Sequence, residues 1–280
     1  MSIFQTFLNA LVAYSRKEGL FLDPSFALFE QRLRHGNPKA ALQQYVKSLA
    51  DNFSWRIPPA NVATMEAYFA AAAEPLRPNV DLFRDYPPII KLIWNSAGKF
   101  AAKIDRLAGA IQTKDLPRFL FAYLFATVAY YVKDHPEKFS QAIYSKVQSD
   151  MAFSSSPANE GDRLWNVAFD ISLFAFCIDA AVRKGTAGTL YLSKIASADA
   201  SFEVFCRNIK ASAIQIRASD EVPNAFWGLV PDADVDVRAA KYAMEKFPKS
   251  LPPAPLTIIE RLGRLKKTAT DIVSGAETDI

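Results

Sequence analysis

Two cysteines and two histidines are all that this 280-residue chain offers to thiol or metal chemistry. Cys177 and Cys206 both sit in apolar, helix-patterned context, where a thiol behaves as a small hydrophobe, and two such residues do not make a disulfide framework. That usage suits a reducing compartment, so a cytoplasmic location is expected. His35 stands among Arg32, Arg34 and Gly36 at a helix end, and His135 stands between Asp134 and Pro136 at a helix start. Neither has Glu three positions before it, as a di-iron bundle requires, and no Cys/His cluster has zinc-site spacing. No metal site is expected.

Glycine is scarce as well, with ten residues in all. No Gly-rich phosphate loop, nucleophile elbow, kinase signature or dinucleotide fingerprint is present. No catalytic residue is assigned, no cofactor is expected, and no stretch carries a family signature. Asp232, Asp234 and Asp236 are spaced like the start of a calcium loop. Its sixth and twelfth positions would be Val237 and Ala243, where Gly and Glu are needed, so the match fails.

Also missing is an apolar run of about 20 residues, the length that spans a bilayer. The densest run, Phe119–Val132 (FLFAYLFATVAYYV), has fourteen residues between Arg118 and Lys133, and only Thr127 interrupts it. Its nearest rival, Leu164–Val182, contains Asp170 and Asp179. The opening residues carry neither a basic n-region nor a small-residue cleavage site, so no secretory signal is expected there.

What the chain does have is apolar bulk. Half of it is hydrophobic, rich in Ala, Leu and Phe and poor in β-branched clusters, which favours helices around a sizeable core. A helix apolar on every side must be buried. Phe119–Val132 is therefore expected at the centre of an all-α, multi-helix bundle, with Asp115 and Pro117 opening it.

The spacing of Ile3, Phe4, Phe7, Leu8, Leu11 and Val12 predicts an amphipathic helix over Ser2–Lys17. Asp23-Pro24 and Asn37-Pro38 open two further short helices, and Val62–Ala73 makes a fourth, stopped before Pro75. Pro75–Pro88 holds four prolines in fourteen residues and is expected to be non-helical. One helix is then expected from Pro88 to Ile111, and another from His135 to Met151 with Asp134 as its cap. Ser154–Gly161 reads as a loop before Arg163–Lys184. Thr189–Ser219 reads as helical with a break near Ser197–Asp199, and Val222–Pro231 as a loop. Asp232 is expected to cap a helix ending near Phe247. The domain reading is 1–75, an N-terminal helical subdomain; 76–88, a connector; 89–247, the main bundle; 248–256, a Pro-rich linker; and 257–280, a basic amphipathic helix with a frayed tail.

That last helix is the sharpest feature. Ile258, Leu262, Leu265, Ala269 and Ile272 are spaced 4, 3, 4, 3, the seam of a helix that meets another helix. Arg261, Arg264, Lys266 and Lys267 lie beside it. Between Arg238 and Lys267 eight basic residues face two acidic ones, so this stretch carries +6 in a chain whose total is +4. The seam can dock on its own bundle, pair with a second copy, lie on an anionic membrane or fill a partner's groove. Two heptads are too short for a free-standing coiled coil, and Gly263 weakens the helix by about 1 kcal/mol.

A non-enzymatic interaction or regulatory protein is therefore expected, acting through protein–protein contacts or self-association of this helix. Its partner-binding residues would be Ile258, Arg261, Leu262, Arg264, Leu265, Lys266, Lys267 and Ile272. Nucleic acid is disfavoured for want of aromatic platforms near the basic end, and a membrane surface is a weaker alternative. An enzyme is the other alternative. Asn166 and Asp170, at i and i+4 on the second apolar helix, would be its buried polar site, because a buried carboxylate is costly unless paired or functional.

Overall fold

The computed structural model describes Ala10, Ala13, Tyr14 and Lys17, and then the chain from 38 to 280 except 54–55, 57, 155–156, 184–199, 216–223, 231–232 and 249–255. Most of the expected Ser2–Lys17 helix, all of the Asp23–Arg34 helix and the middle of the 248–256 linker lie outside the described residues.

The chain is mostly helical, with ten α-helices and one two-stranded hairpin among the described residues. It divides into two compact units, Met1–Asp81 and Leu82–Ile280. The first unit holds α1 (Pro38–Phe53), which buries Leu42, and most of α2 (Pro59–Asp85).

The Pro75–Pro88 stretch corrects the sequence expectation, because α2 runs through Pro75 and Pro78 to Asp85. Each interior proline deletes one i→i−4 bond and costs about 3 kcal/mol in a helix. Here the two deletions fall one turn apart, beside Ala70–Ala73, the strongest helix formers in the chain. Pro87 and Pro88 are first-turn residues of α3 (Pro87–Asn95), and the division between the two units, after Asp81, falls inside this stretch.

In the second unit, α5 (Leu120–Asp134) is the centre. Every residue from Ala122 to Val132 is buried. It packs against α3, α4 (Phe100–Thr113), α6 (Gln141–Met151), α7 (Pro157–Arg183), α8 (Ala200–Asn208) and α9 (Val237–Lys246). Its polar atoms are satisfied inside. Thr127 Oγ1 donates to the Tyr123 carbonyl at 2.8 Å. Tyr123 and Tyr130 donate to the Ala243 and Ile90 carbonyls at 2.8 and 3.1 Å, and Tyr131 donates to Asp236 Oδ2 at 2.8 Å. Burial pushes all three phenols above their ordinary range.

The expected Pro88–Ile111 helix is two helices with a turn at Ser96–Gly98. Gly98 sits at φ +106, a conformation that L-residues avoid. Three cations converge on the carbonyls at the end of α3, where the helix dipole favours positive charge. Lys103 Nζ donates to the Ile93, Trp94 and Ser96 carbonyls at 3.2, 3.2 and 2.6 Å. Arg106 reaches the Ala97 carbonyl at 2.7 Å, and Lys133 donates to the Trp94 carbonyl. Burial, with Lys133 and Arg106 close by, holds the Lys103 amine down at about 8.

Two boundaries move for local reasons. Ser140, not Asp134, caps α6, after a 3₁₀ turn at Pro136–Lys138. Asp134 instead accepts from the Phe100 N–H at 3.0 Å and so caps α4. Asp236, not Asp232, caps α9 by accepting from Ala239 N–H at 2.9 Å.

The reading of Thr189–Ser219 as helical holds over α8 but is corrected over 209–215, and that of Val222–Pro231 as loop is corrected over 224–229. Residues 189–199, 216–223 and 231 lie outside the described residues. β1 (Ile209–Gln215) pairs antiparallel with β2 (Asn224–Leu229), with Ile209 opposite Leu229 and a bulge at Ala211–Ala213. Asn208, fully buried, ends the helix that precedes β1. Its amide donates to the Val204 carbonyl and Asp234 Oδ2 and accepts from Val235 N–H, at 2.7, 2.8 and 2.9 Å.

Candidate interaction site

The C-terminal helix α10 (Ile258–Val273) carries its own boundaries. Thr257 and Glu260 form a reciprocal capping box at its start. At its end Gly275, at φ +76, turns the chain so that Glu277 N–H reaches the Asp271 carbonyl at 3.0 Å. The tail expected to fray is therefore folded back, and Ile280 packs against the core.

The apolar seam descends into the bundle along its length. Ile258 is 60% exposed and Leu262 half-buried, whereas Leu265, Ala269 and Ile272 are buried, with Thr268 beside them. This buried row faces α3, so the helix docks on its own chain, and Leu265 and Ile272 belong to the main core. Arg264, Lys266 and Lys267 remain exposed, and so does Ile259, at 75%. Ile259 stands one place off the seam, which is why the heptad count passed over it.

The α4–α5 corner holds both ends of α10. Asp115 sits there at φ +50, and its side chain is almost wholly buried. Its Oδ1 accepts from Arg261 Nε at 3.1 Å. Its Oδ2 lies 3.9 Å from Arg264 Nη1 and, among the described residues, accepts no hydrogen bond. Next to it, Lys114 donates to Glu277, beyond the far end of the helix. Adjacent residues of opposite charge thus meet opposite charges at the two ends of α10. Pro117 is fixed in the same corner, where its carbonyl accepts from the buried hydroxyl of Tyr86.

Of the eight residues expected to bind a partner, Leu265 and Ile272 are covered by the chain itself. Arg261 is largely enclosed by its pairing with Asp115, and the rest retain exposure. Lys114, Asp115, Glu277 and Ile259 were missed. The first three form contacts across more than a hundred residues, a separation at which local spacing carries no signal.

The Asn166–Asp170 pair is not a buried site, since Asn166 is exposed and Asp170 half-buried. The face of α7 that turns inward carries Leu164, Val167, Ala168 and Ile171. Among the described residues the buried carboxylate of this helix is Glu160. It pairs with Lys91 of α3 and accepts from Ser154 N–H at 2.7 Å. Burial lowers the Lys91 amine, against the opposing pull of Glu160. Cys206 is half-buried and forms no disulfide, and the side chain of Cys177 is outside the described set.

Among the described residues no group of three His, Cys, Asp or Glu side chains could hold a metal ion, and no helix is long and apolar enough to cross a membrane. No family model, curated protein or solved structure matches the chain.

Proposed function

We propose that this chain is a non-enzymatic helical interaction module whose contact element is α10. The observation that carries the reading is the division of that helix. Its buried row is committed to the bundle, while its first turn offers Ile258 and Ile259 to solvent at 60% and 75% exposure. Arg264, Lys266 and Lys267 lie along the exposed side. Two adjoining exposed isoleucines on a rigid, capped helix suit an apolar anchor, and the cations beside them suit the polar rim that steers an acidic partner.

The test uses substitutions on the exposed side, because deleting 257–280 would also remove Leu265 and Ile272 from the core. Full-length protein is immobilised and its captured protein partner quantified. The same measurement is made with Ile258→Ser/Ile259→Ser and with Lys266→Glu/Lys267→Glu. Both variants are expected to keep the wild-type melting temperature and to weaken capture by about tenfold or more, the scale of one lost anchor. Capture unchanged in both variants would overturn the reading.

A further inference from the structure

One cation is enough for the end of a helix. The aligned dipoles of α3 leave roughly half an elementary charge there, and Lys103 alone covers it with three hydrogen bonds. Arg106 and Lys133 are brought to the same place all the same. The ammonium groups of Lys103 and Lys133 share the Trp94 carbonyl, and Arg106 Nη1 bonds the Ser96 hydroxyl at 2.5 Å and the Ala97 carbonyl at 2.7 Å. Among the described residues these three side chains meet neutral acceptors, and no carboxylate pairs with any of them. Asp134, the acidic residue whose charge acts on both amines, is engaged by the Phe100 N–H. The turn therefore carries more positive charge than the fold uses.

We propose that this surplus is a binding site: the Ser96–Lys99 turn between α3 and α4 takes a phosphate group, with Arg106, Lys133, Lys99 and the first amides of α4 as its donors. The site involves no residue of α10 and stands or falls apart from the function proposed for that helix.

The unused donors are the first support. Arg106 spends one terminal nitrogen on the turn, while its Nε and Nη2 donate to nothing among the described residues. Lys133 gives the Trp94 carbonyl one of its three N–H groups. A guanidinium fork matches two oxygens of a phosphate, and an ammonium adds a point charge beside it.

The backbone is the second. The N–H groups of Ala101 and Ala102 stand in the first turn of α4, where no partner exists within the helix, and among the described residues none reaches them from outside. The same helix start already holds one oxyanion, since the Asp134 carboxylate accepts from Phe100 N–H at 3.0 Å. Adjoining amides at such a terminus suit a second anion.

Access and charge are the third. Ala97, Gly98, Lys99 and Ala101 are exposed and Arg106 and Lys133 half-buried, so an anion reaches these donors from solvent. Lys99, Lys103, Arg106 and Lys133 together outweigh Asp134 by more than a single negative charge can offset. A phosphate group carries about −1.5 to −2 near neutral pH, which matches that excess better than a carboxylate or chloride.

The experiment titrates isotope-labelled full-length protein with inorganic phosphate, against chloride at constant ionic strength, and follows the amide resonances. Saturating shifts are expected at Ala101, Ala102 and the turn before them. The Lys103 amine, at about 8 without added anion, should titrate higher with phosphate bound, because a nearby anion favours the ammonium. Affinity should fall about tenfold in Arg106→Gln, the scale of one lost charge-assisted contact, and severalfold in Lys99→Gln. Lys99 is exposed, so its variant keeps the fold, and the wild-type shifts decide by themselves should Arg106→Gln melt. Phenyl phosphate separates the sources. Binding as tight as that of inorganic phosphate assigns the site to a phosphorylated organic molecule, and its exclusion assigns free phosphate. Shifts that never saturate, that chloride reproduces, that centre on Lys266 and Lys267, or that persist unchanged in both variants mean an adventitious ion only and rule the site out.

Discussion

Lys91 Nζ and the carboxylate of Glu160 meet where neither is exposed, one side chain from α3 and the other from α7. The ring of Phe153 lies over the ammonium at 5.4 Å, and Ser154 N–H holds the second carboxylate oxygen. A buried pair roughly breaks even against apolar residues of the same size, but removing one partner strands a charge and costs about 3–5 kcal/mol. Lys91→Met is therefore expected to destabilise the second unit by that order. Lys91→Met/Glu160→Leu should recover most of the loss. Denaturant unfolding of the two variants checks this, and a double variant no more stable than the single one would contradict it.

Alkaline pH should destabilise the fold. Burial raises the folded pKa of Tyr86, Tyr123 and Tyr130 above the value of 10.0 that an exposed phenol has. Their contribution is complete below pH 10 and is lost above it, because only the unfolded chain releases those protons. The loss is about 1.4 kcal/mol per pH unit for each phenol. Lys103 acts in the opposite sense. Its amine, at about 8 when folded against 10.5 when free, penalises the fold below pH 8 and relieves that penalty as pH rises to 10.5. The lowered amines stop contributing any slope above pH 10.5 while the phenols continue, so stability should rise between pH 8 and 10 and then fall steeply. A step in phenolate absorbance that coincides with the unfolding transition, from the buried tyrosines, would check it.

Gly98 and Gly109 should respond oppositely to alanine. At Gly98 a Cβ would meet Ala102 Cβ at 3.1 Å on a backbone of φ +106, so Gly98→Ala is expected to cost about 1–3 kcal/mol. At Gly109, inside α4, a Cβ would meet nothing within 4 Å, and Gly109→Ala should gain about 0.5–1 kcal/mol. Thermal unfolding of both variants decides.

The faces of α10 should separate by stability. Leu265→Ala removes a fully buried side chain and is expected to cost about 2–5 kcal/mol. Ile258→Ala should stay within about 0.5 kcal/mol of wild type, as exposed substitutions do. Equal losses at the two positions would mean that both sides of the helix are covered.

The central helix was legible in the sequence because fourteen residues without an exposed face admit only a buried place. The last helix was legible for the opposite reason, since its 4-3-4-3 seam and polar flank define one side each. Pro75 and Pro78 misled, because a local rule about proline yields to a long helix that absorbs both. The hairpin at 209–229 was invisible, because its pairing joins residues that are not neighbours, and IKASAIQ has no clean alternation. At the candidate site the seam could be read, but its clamp could not. Asp115 looked like an ordinary helix opener until Arg261, 146 positions later, was beside it.

A helix apolar all round has no side that must face inward, and packing alone would let α5 settle at any rotation about its axis. Its tyrosine hydroxyls remove that freedom. Tyr123, Tyr130 and Tyr131 reach respectively α9, α3 and the residue that caps α9, so a turn of one residue would break three hydrogen bonds together and strand the hydroxyls in apolar surroundings. Their stabilising energy is modest, since each bond replaces one to water. What they supply is uniqueness, a single angular setting of the axle on which every neighbouring helix takes its bearing.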